Sequence, residues 1–165
     1  DTIVAILKKI IKNMKESPES LFKGEDVAMA KENVFIIYSH QNRAMMLEIK
    51  DFLKENLCFE PKTLDIAECT GSVWDAFMEK SAECQKSIVI MSDDDEVINT
   101  SGNTYKQARP NVFIELGYMI HKCGLNNVTI IYSENCSTPS DLNGITSVRY
   151  KTEKWTESLR KQLNR

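Results

Sequence analysis

The sequence has no long hydrophobic run. Its apolar stretches, such as Val34 to Tyr38, fall far short of the roughly 20 residues a bilayer-spanning helix needs. No membrane partner is expected, and no signal peptide is visible. A basic excess is also missing: 21 Lys and Arg stand against 24 Asp and Glu, for a net charge of -3. That balance leaves no footprint for nucleic acid, which usually shows a basic patch. The glycine patterns that cradle phosphates, G-x-G-x-x-G and G-x-x-x-x-G-K, are absent. So is the G-x-S-x-G nucleophile elbow, and adjacent Ser39 and His40 make a poor nucleophile and base.

Cys58, Cys69, Cys84, Cys123 and Cys136 include no C-x-x-C pair, and no His stands at ligand spacing from them. A structural zinc site is not expected. Their odd number argues against a fully paired disulfide framework, so a reducing cytoplasm is the expected setting. The acidic run "SDDDE" reads as a solvated loop rather than a metal site. Neither metal nor cofactor is expected. The chain begins at Asp1 rather than Met, as expected of an excised fragment that lacks an upstream regulatory or sensor domain.

What is present is a globular composition long enough for one domain with a real core. Residues Thr2 to Lys15 carry an apolar stripe, and Pro18 ends it. We therefore divide the chain into an N-terminal amphipathic helix and linker, 1–32, and a domain, 33–165. Within the domain, strands alternate with helices. "VFIIY" (34–38), "SIVIM" (87–91) and "NVTIIY" (127–132) are β-branched runs that read as strands buried on both faces. "PKTLD" and "TSVRY" read as shorter strands. Helical spacing marks 43–56, 73–84, a segment starting around Pro110, and 152–163. Residues 93–107 read as a long polar loop. The alternation predicts an α/β, flavodoxin-like three-layer sandwich, with a parallel sheet of about five strands in the order 2-1-3-4-5.

In such a sheet, ligands bind where strand order reverses. The loops after the first and third strands, "SHQNR" and "SDDDEVINTSGNTYKQARPN", should face each other there. The helix beginning near Pro110 carries Glu115 inside an otherwise apolar run. At about 100° per residue, Val112, Leu116, Met119 and Cys123 face the sheet. Asn111, Glu115, Tyr118 and Lys122 run along the flank. Glu115 then lies at a solvated border, one turn after Asn111. Periodicity alone leaves two readings: a site residue, or a flank residue paired with Lys122 or favoured by the helix dipole.

"VFIIYSHQNR", "GSVWDAFMEK", "SIVIMSDDD", "ARPNVFIELGYMIHKCG" and "PSDLNGI" occur in that order. Together they resemble the bacterial TIR-like (Toll/interleukin receptor-like) nucleotide-binding domains, a family similar to NAD-cleaving TIR domains of anti-phage defence. The resemblance runs from Asn33 to the end. It implies an NAD glycohydrolase, with cyclisation of the ADP-ribose product as a second outcome open to it, and NAD as substrate rather than cofactor. It implies Glu115 as the catalytic carboxylate. It implies Ser39, His40 and Arg43 along the substrate crevice, with Arg109 and Asn111 beside the glutamate. It also implies activation by self-association. Two other readings stand beside it: a nucleoside deoxyribosyltransferase-like N-glycosidase, which shares an "ELG" helix, and a non-catalytic TIR scaffolding module.

Overall fold

The computed structural model describes residues 31–165. The amphipathic segment expected at Thr2 to Lys15 lies outside the described residues. The domain is built on five parallel strands: β1 (Asn33–Ile37), β2 (Glu60–Thr63), β3 (Lys86–Met91), β6 (Val128–Tyr132) and β7 (Ser147–Arg149). Two further strands, β4 (Asp95–Ile98) and β5 (Thr104–Gln107), form a separate antiparallel pair. Four helices complete it: α1 (Arg43–Asn56), α2 (Val73–Ala82), α3 (Pro110–Cys123) and α4 (Trp155–Leu163).

The sheet order is β2-β1-β3-β6-β7, which is the flavodoxin-like arrangement expected, 2-1-3-4-5 when only the sheet strands are counted. β1 pairs with β2 on one side (Val34 with Pro61) and with β3 on the other (Ile36 with Ile88). β2 is an edge strand, and edges are where a proline such as Pro61 is tolerated.

Successive side chains of a strand point to opposite faces, and both faces here are apolar. Phe35, Ile37, Val89, Met91 and Ile130 pack with Phe77 of α2 and with Val112, Leu116 and Met119 of α3. Val34, Ile36, Ile88, Ile90 and Ile131 pack with Met45, Met46, Ile49 and Leu53 of α1 and with Leu159 and Leu163 of α4. The uninterrupted runs of β1, β3 and β6 follow from this double burial.

The polar loop expected over 93–107 is instead a hairpin. Val97 stands opposite Tyr105, and Glu96 opposite Lys106. At its tip the Asn99 side-chain carbonyl accepts from the backbone N–H of Ser101 (3.0 Å) and Asn103 (2.9 Å). Gly102 there adopts a φ of 81°, a left-handed conformation that suits glycine. The hairpin hid from periodicity because it buries neither face: Ile98 is 68% exposed and Tyr105 38% exposed. Turn chemistry in "INTSGNTY" was the available signal. The end helix is shorter than expected, starting at Trp155 rather than Thr152. Lys151, at φ 57°, interrupts the chain just before it.

Candidate active site

The two loops at the switch point do meet. Asn42, at the end of a short 3₁₀ turn (His40–Asn42), donates to Ser39 Oγ at 3.0 Å and to Asp94 Oδ1 at 2.8 Å. The Ser92 hydroxyl donates to Asp94 Oδ2 at 2.7 Å. Ser133, after β6, donates to Asp93 Oδ1 at 2.8 Å. Asp93 is thereby held below the ordinary carboxylate range, chiefly by that bond. The acidic run is therefore not a freely solvated loop: Asp93 and Asp94 bind the ends of β1, β3 and β6 together. Among the described residues, no group of His, Cys, Asp and Glu is arranged to hold a metal ion.

Glu115 lies on α3, which starts with Pro110 in its first turn, where its fixed φ fits and its missing N–H costs nothing. Val112, Leu116 and Met119 face the sheet as expected, and Cys123 is half-buried. Glu115 walls two adjoining depressions. One is a cavity of about 230 Å³ lined by Val73, Trp74, Asn111, Ile114 and Glu115. The other is a narrow cleft of about 40 Å³, at the end of β1, lined among others by Tyr38, Leu64, Ile66, Phe77 and Glu115.

Glu115 does lie at a border, as expected, but half-buried rather than freely solvated: that burial pushes its pKa from 4.5 up to about 7. Lys122, the alternative partner, is engaged elsewhere, donating to the Cys84 carbonyl at 2.7 Å. Among the described residues no hydrogen bond or ion pair holds the Glu115 carboxyl. Withdrawal from water is thus the only cause of its shift.

The raised value predicts a pH effect on stability. The folded state holds the Glu115 proton more tightly than the unfolded chain does. The resulting stabilisation is full below about pH 4.5 and is lost as pH rises through about 7. A Glu115→Gln protein suffers no such loss. Its melting temperature should therefore rise relative to wild type between pH 4.5 and 7 and hold that gain above. A difference that stays constant over the same range would contradict the buried carboxyl.

The remaining sequence-predicted residues are dispersed. Asn111 shares the larger cavity with Glu115. Ser39 is buried in the Asn42 network. The exposed His40 lays its ring near Tyr38, with centroids 6.4 Å apart. Arg43 pairs with Asp65 at 3.2 Å, and Arg109 approaches Asp95 at 3.9 Å. Ser39, His40, Arg43 and Arg109 line neither depression at Glu115. Tyr118, on the same flank as Glu115, is half-buried against Phe77 and Trp74, with centroids at 5.4 and 5.7 Å. Ile114 is 61% exposed.

Sequence reasoning missed Tyr38, Val73 and Trp74 beside Glu115. Trp74 stacks on Phe77 (5.1 Å, 27°) yet stays 39% exposed at the cavity wall. Tyr118 also meets its ring edge-on, at 5.7 Å. The signal was a tryptophan at the start of a helix, where burial is incomplete.

Known proteins match along most of this length. The chain is 33% identical over 143 residues to Protein tirC of Dictyostelium discoideum, covering 79% of this chain and 68% of that protein. It is 27% identical over 141 residues to CD-NTase-associated protein 12 of Sphingobacterium faecium, covering 81% of this chain and 43% of that protein. The pattern described as "CAP12/Pycsar effector protein, TIR domain" matches residues 33–152. That span takes in the strands, the switch-point loops and the Glu115 helix, and the chain belongs to this family of effector TIR domains.

Proposed function

We propose that the domain is an NAD glycohydrolase that acts as an effector in anti-phage defence. The observation that carries the reading is the Glu115 carboxyl: desolvated, unpaired, and facing a cavity with Trp74 and Asn111 on its walls. Nicotinamide in NAD is already a cationic leaving group and needs no general acid. Breaking its ribose bond leaves an oxocarbenium-like centre. Water then adds to that carbon and loses a proton, so the products are nicotinamide, ADP-ribose and H⁺. A carboxylate in a water-poor site stabilises the developing positive charge far more than it would in water. Trp74 offers a flat apolar face for a base, and Asn111 offers hydrogen bonds to a ribose. Incubation with NAD and, separately, with deoxynucleosides, following base release, tests the reading. Nicotinamide release from NAD alone supports it. Base release from deoxynucleosides alone would assign a deoxyribosyltransferase-like activity, and release from neither would leave a scaffolding module.

Ile114, 61% exposed on the rim of the same cavity, supports a site covered by a second copy of the domain. Exposed apolar side chains of this size mark contact surfaces. Specific activity should therefore rise with protein concentration. Activity that is flat down to dilute monomer would remove self-association from the proposal.

A further inference from the structure

A third cavity adjoins the Glu115 cleft and is strongly basic. It measures about 340 Å³ and is lined by Tyr38, Arg43, Lys50, Lys62, Asp65 and Lys80, together with apolar and neutral residues of α1 and β2. Four cations face one carboxylate, in a chain whose net charge is -3. They come from three elements: Arg43 and Lys50 from α1, Lys62 from β2, and Lys80 from α2. α1 and α2 pack on opposite faces of the sheet, so the cluster wraps the open edge of β2.

Lysines on an edge strand can serve only to block edge-to-edge pairing. That role would need charges on β2 alone, not ones converging from both faces. Arg43 is held by Asp65 at 3.2 Å. Among the described residues Lys50, Lys62 and Lys80 have no ion-pair partner, although Glu79 and Glu83 line a neighbouring cavity with Lys62 and Lys80. Converging, unpaired cations lower the energy of a bound polyanion and are stabilised by it in turn.

Tyr38 joins this cavity to the site. It walls both the basic cavity and the cleft at Glu115. At the end of β2, Leu64 faces the cleft while Thr63 and Asp65 face the basic cavity, as strand alternation requires. We propose that the basic cavity of Arg43, Lys50, Lys62 and Lys80 is the diphosphate subsite for a dinucleotide whose ribose lies at Glu115, across Tyr38. The choice of dinucleotide rests on the glycohydrolase reading; the diphosphate chemistry does not.

The test is binding, independent of turnover. Inorganic pyrophosphate is titrated calorimetrically into wild type, a Lys62→Ala/Lys80→Ala protein and a Lys161→Ala control, each first confirmed folded by circular dichroism. Lys161 is a surface lysine paired with Glu157. Wild type and control should bind pyrophosphate, and the double variant should bind it at least about 10-fold more weakly, the scale of losing charge-assisted contacts. ADP-ribose should displace pyrophosphate from wild type. No pyrophosphate binding by wild type, equal binding by the double variant, or ADP-ribose binding without displacement would each overturn the subsite. Displacement as predicted but with no NAD cleavage would keep the subsite and remove the glycohydrolase reading.

Discussion

Replacing Glu115 with glutamine is expected to lower NAD cleavage by roughly 10²-fold or more, the scale of removing one preorganised electrostatic stabiliser. Glutamine keeps the size and most of the hydrogen-bonding capacity of the side chain, so the cavity with Val73, Trp74, Asn111 and Ile114 should keep its shape. Only the charge is lost. Because the charge is needed in the transition state rather than for ground-state binding, kcat should fall while the affinity for NAD changes little. A purely structural role predicts an unchanged kcat, whatever the melting temperature does. Turnover separates the two, with thermal unfolding of the same preparation confirming that the variant is folded. A folded Glu115→Gln protein with wild-type turnover would remove the catalytic assignment.

Phe77→Ala is expected to lower the unfolding free energy by about 3–5 kcal/mol, the usual cost of emptying a buried aromatic site. Phe77 is 2% exposed and is the hub of an aromatic cluster. Its ring meets Phe35 of β1 at 5.3 Å, Trp74 at 5.1 Å and Tyr118 of α3 at 5.4 Å. It therefore ties α2 and α3 to the sheet and fixes the cavity between them. The loss is large against the roughly 5–15 kcal/mol that holds most domains folded. Phe77→Leu, which keeps much of the volume, should cost distinctly less. Urea unfolding of both variants measures this. A loss below about 1 kcal/mol for Phe77→Ala would mean that the cluster repacks freely.

The parts of this molecule that were legible in sequence are those where burial repeats locally. β1, β3 and β6 are apolar on both faces, so Val34 to Ile37, Ile88 to Met91 and Val128 to Tyr132 announce themselves as unbroken runs. Their alternation with amphipathic helices implied parallel βαβ units, for which the flavodoxin-like strand order is the natural arrangement. The helix carrying Glu115 could be placed from Pro110 and its sheet-facing stripe. What stayed hidden depends on partners distant in sequence. The β4–β5 hairpin has no buried face to give it a period. The bond from Asn42 to Asp94 spans 52 positions. Lys122 reads as a natural partner for Glu115 along the helix flank, but it is drawn to the Cys84 carbonyl 38 positions away. Arg43 sits in the loop region expected to reach the crevice, yet Asp65 holds it on the basic side of Tyr38. The desolvation of Glu115 is likewise a property of walls supplied by β1, the segment after β2 and α2, which no spacing within α3 encodes.

The measurement that tests the central claim most directly is the pH dependence of kcat/KM for NAD cleavage by the wild-type domain between about pH 5.5 and 8.5. That parameter reports ionisations of the free enzyme. If the Glu115 carboxylate is the working group, activity is full above its pKa and lost as pH falls through it. The profile should then bend near 7, the value to which burial has raised Glu115, and a Glu115→Gln protein should show only a low, flat residue of activity. A wild-type profile that is flat through pH 7, at full turnover, would contradict the account.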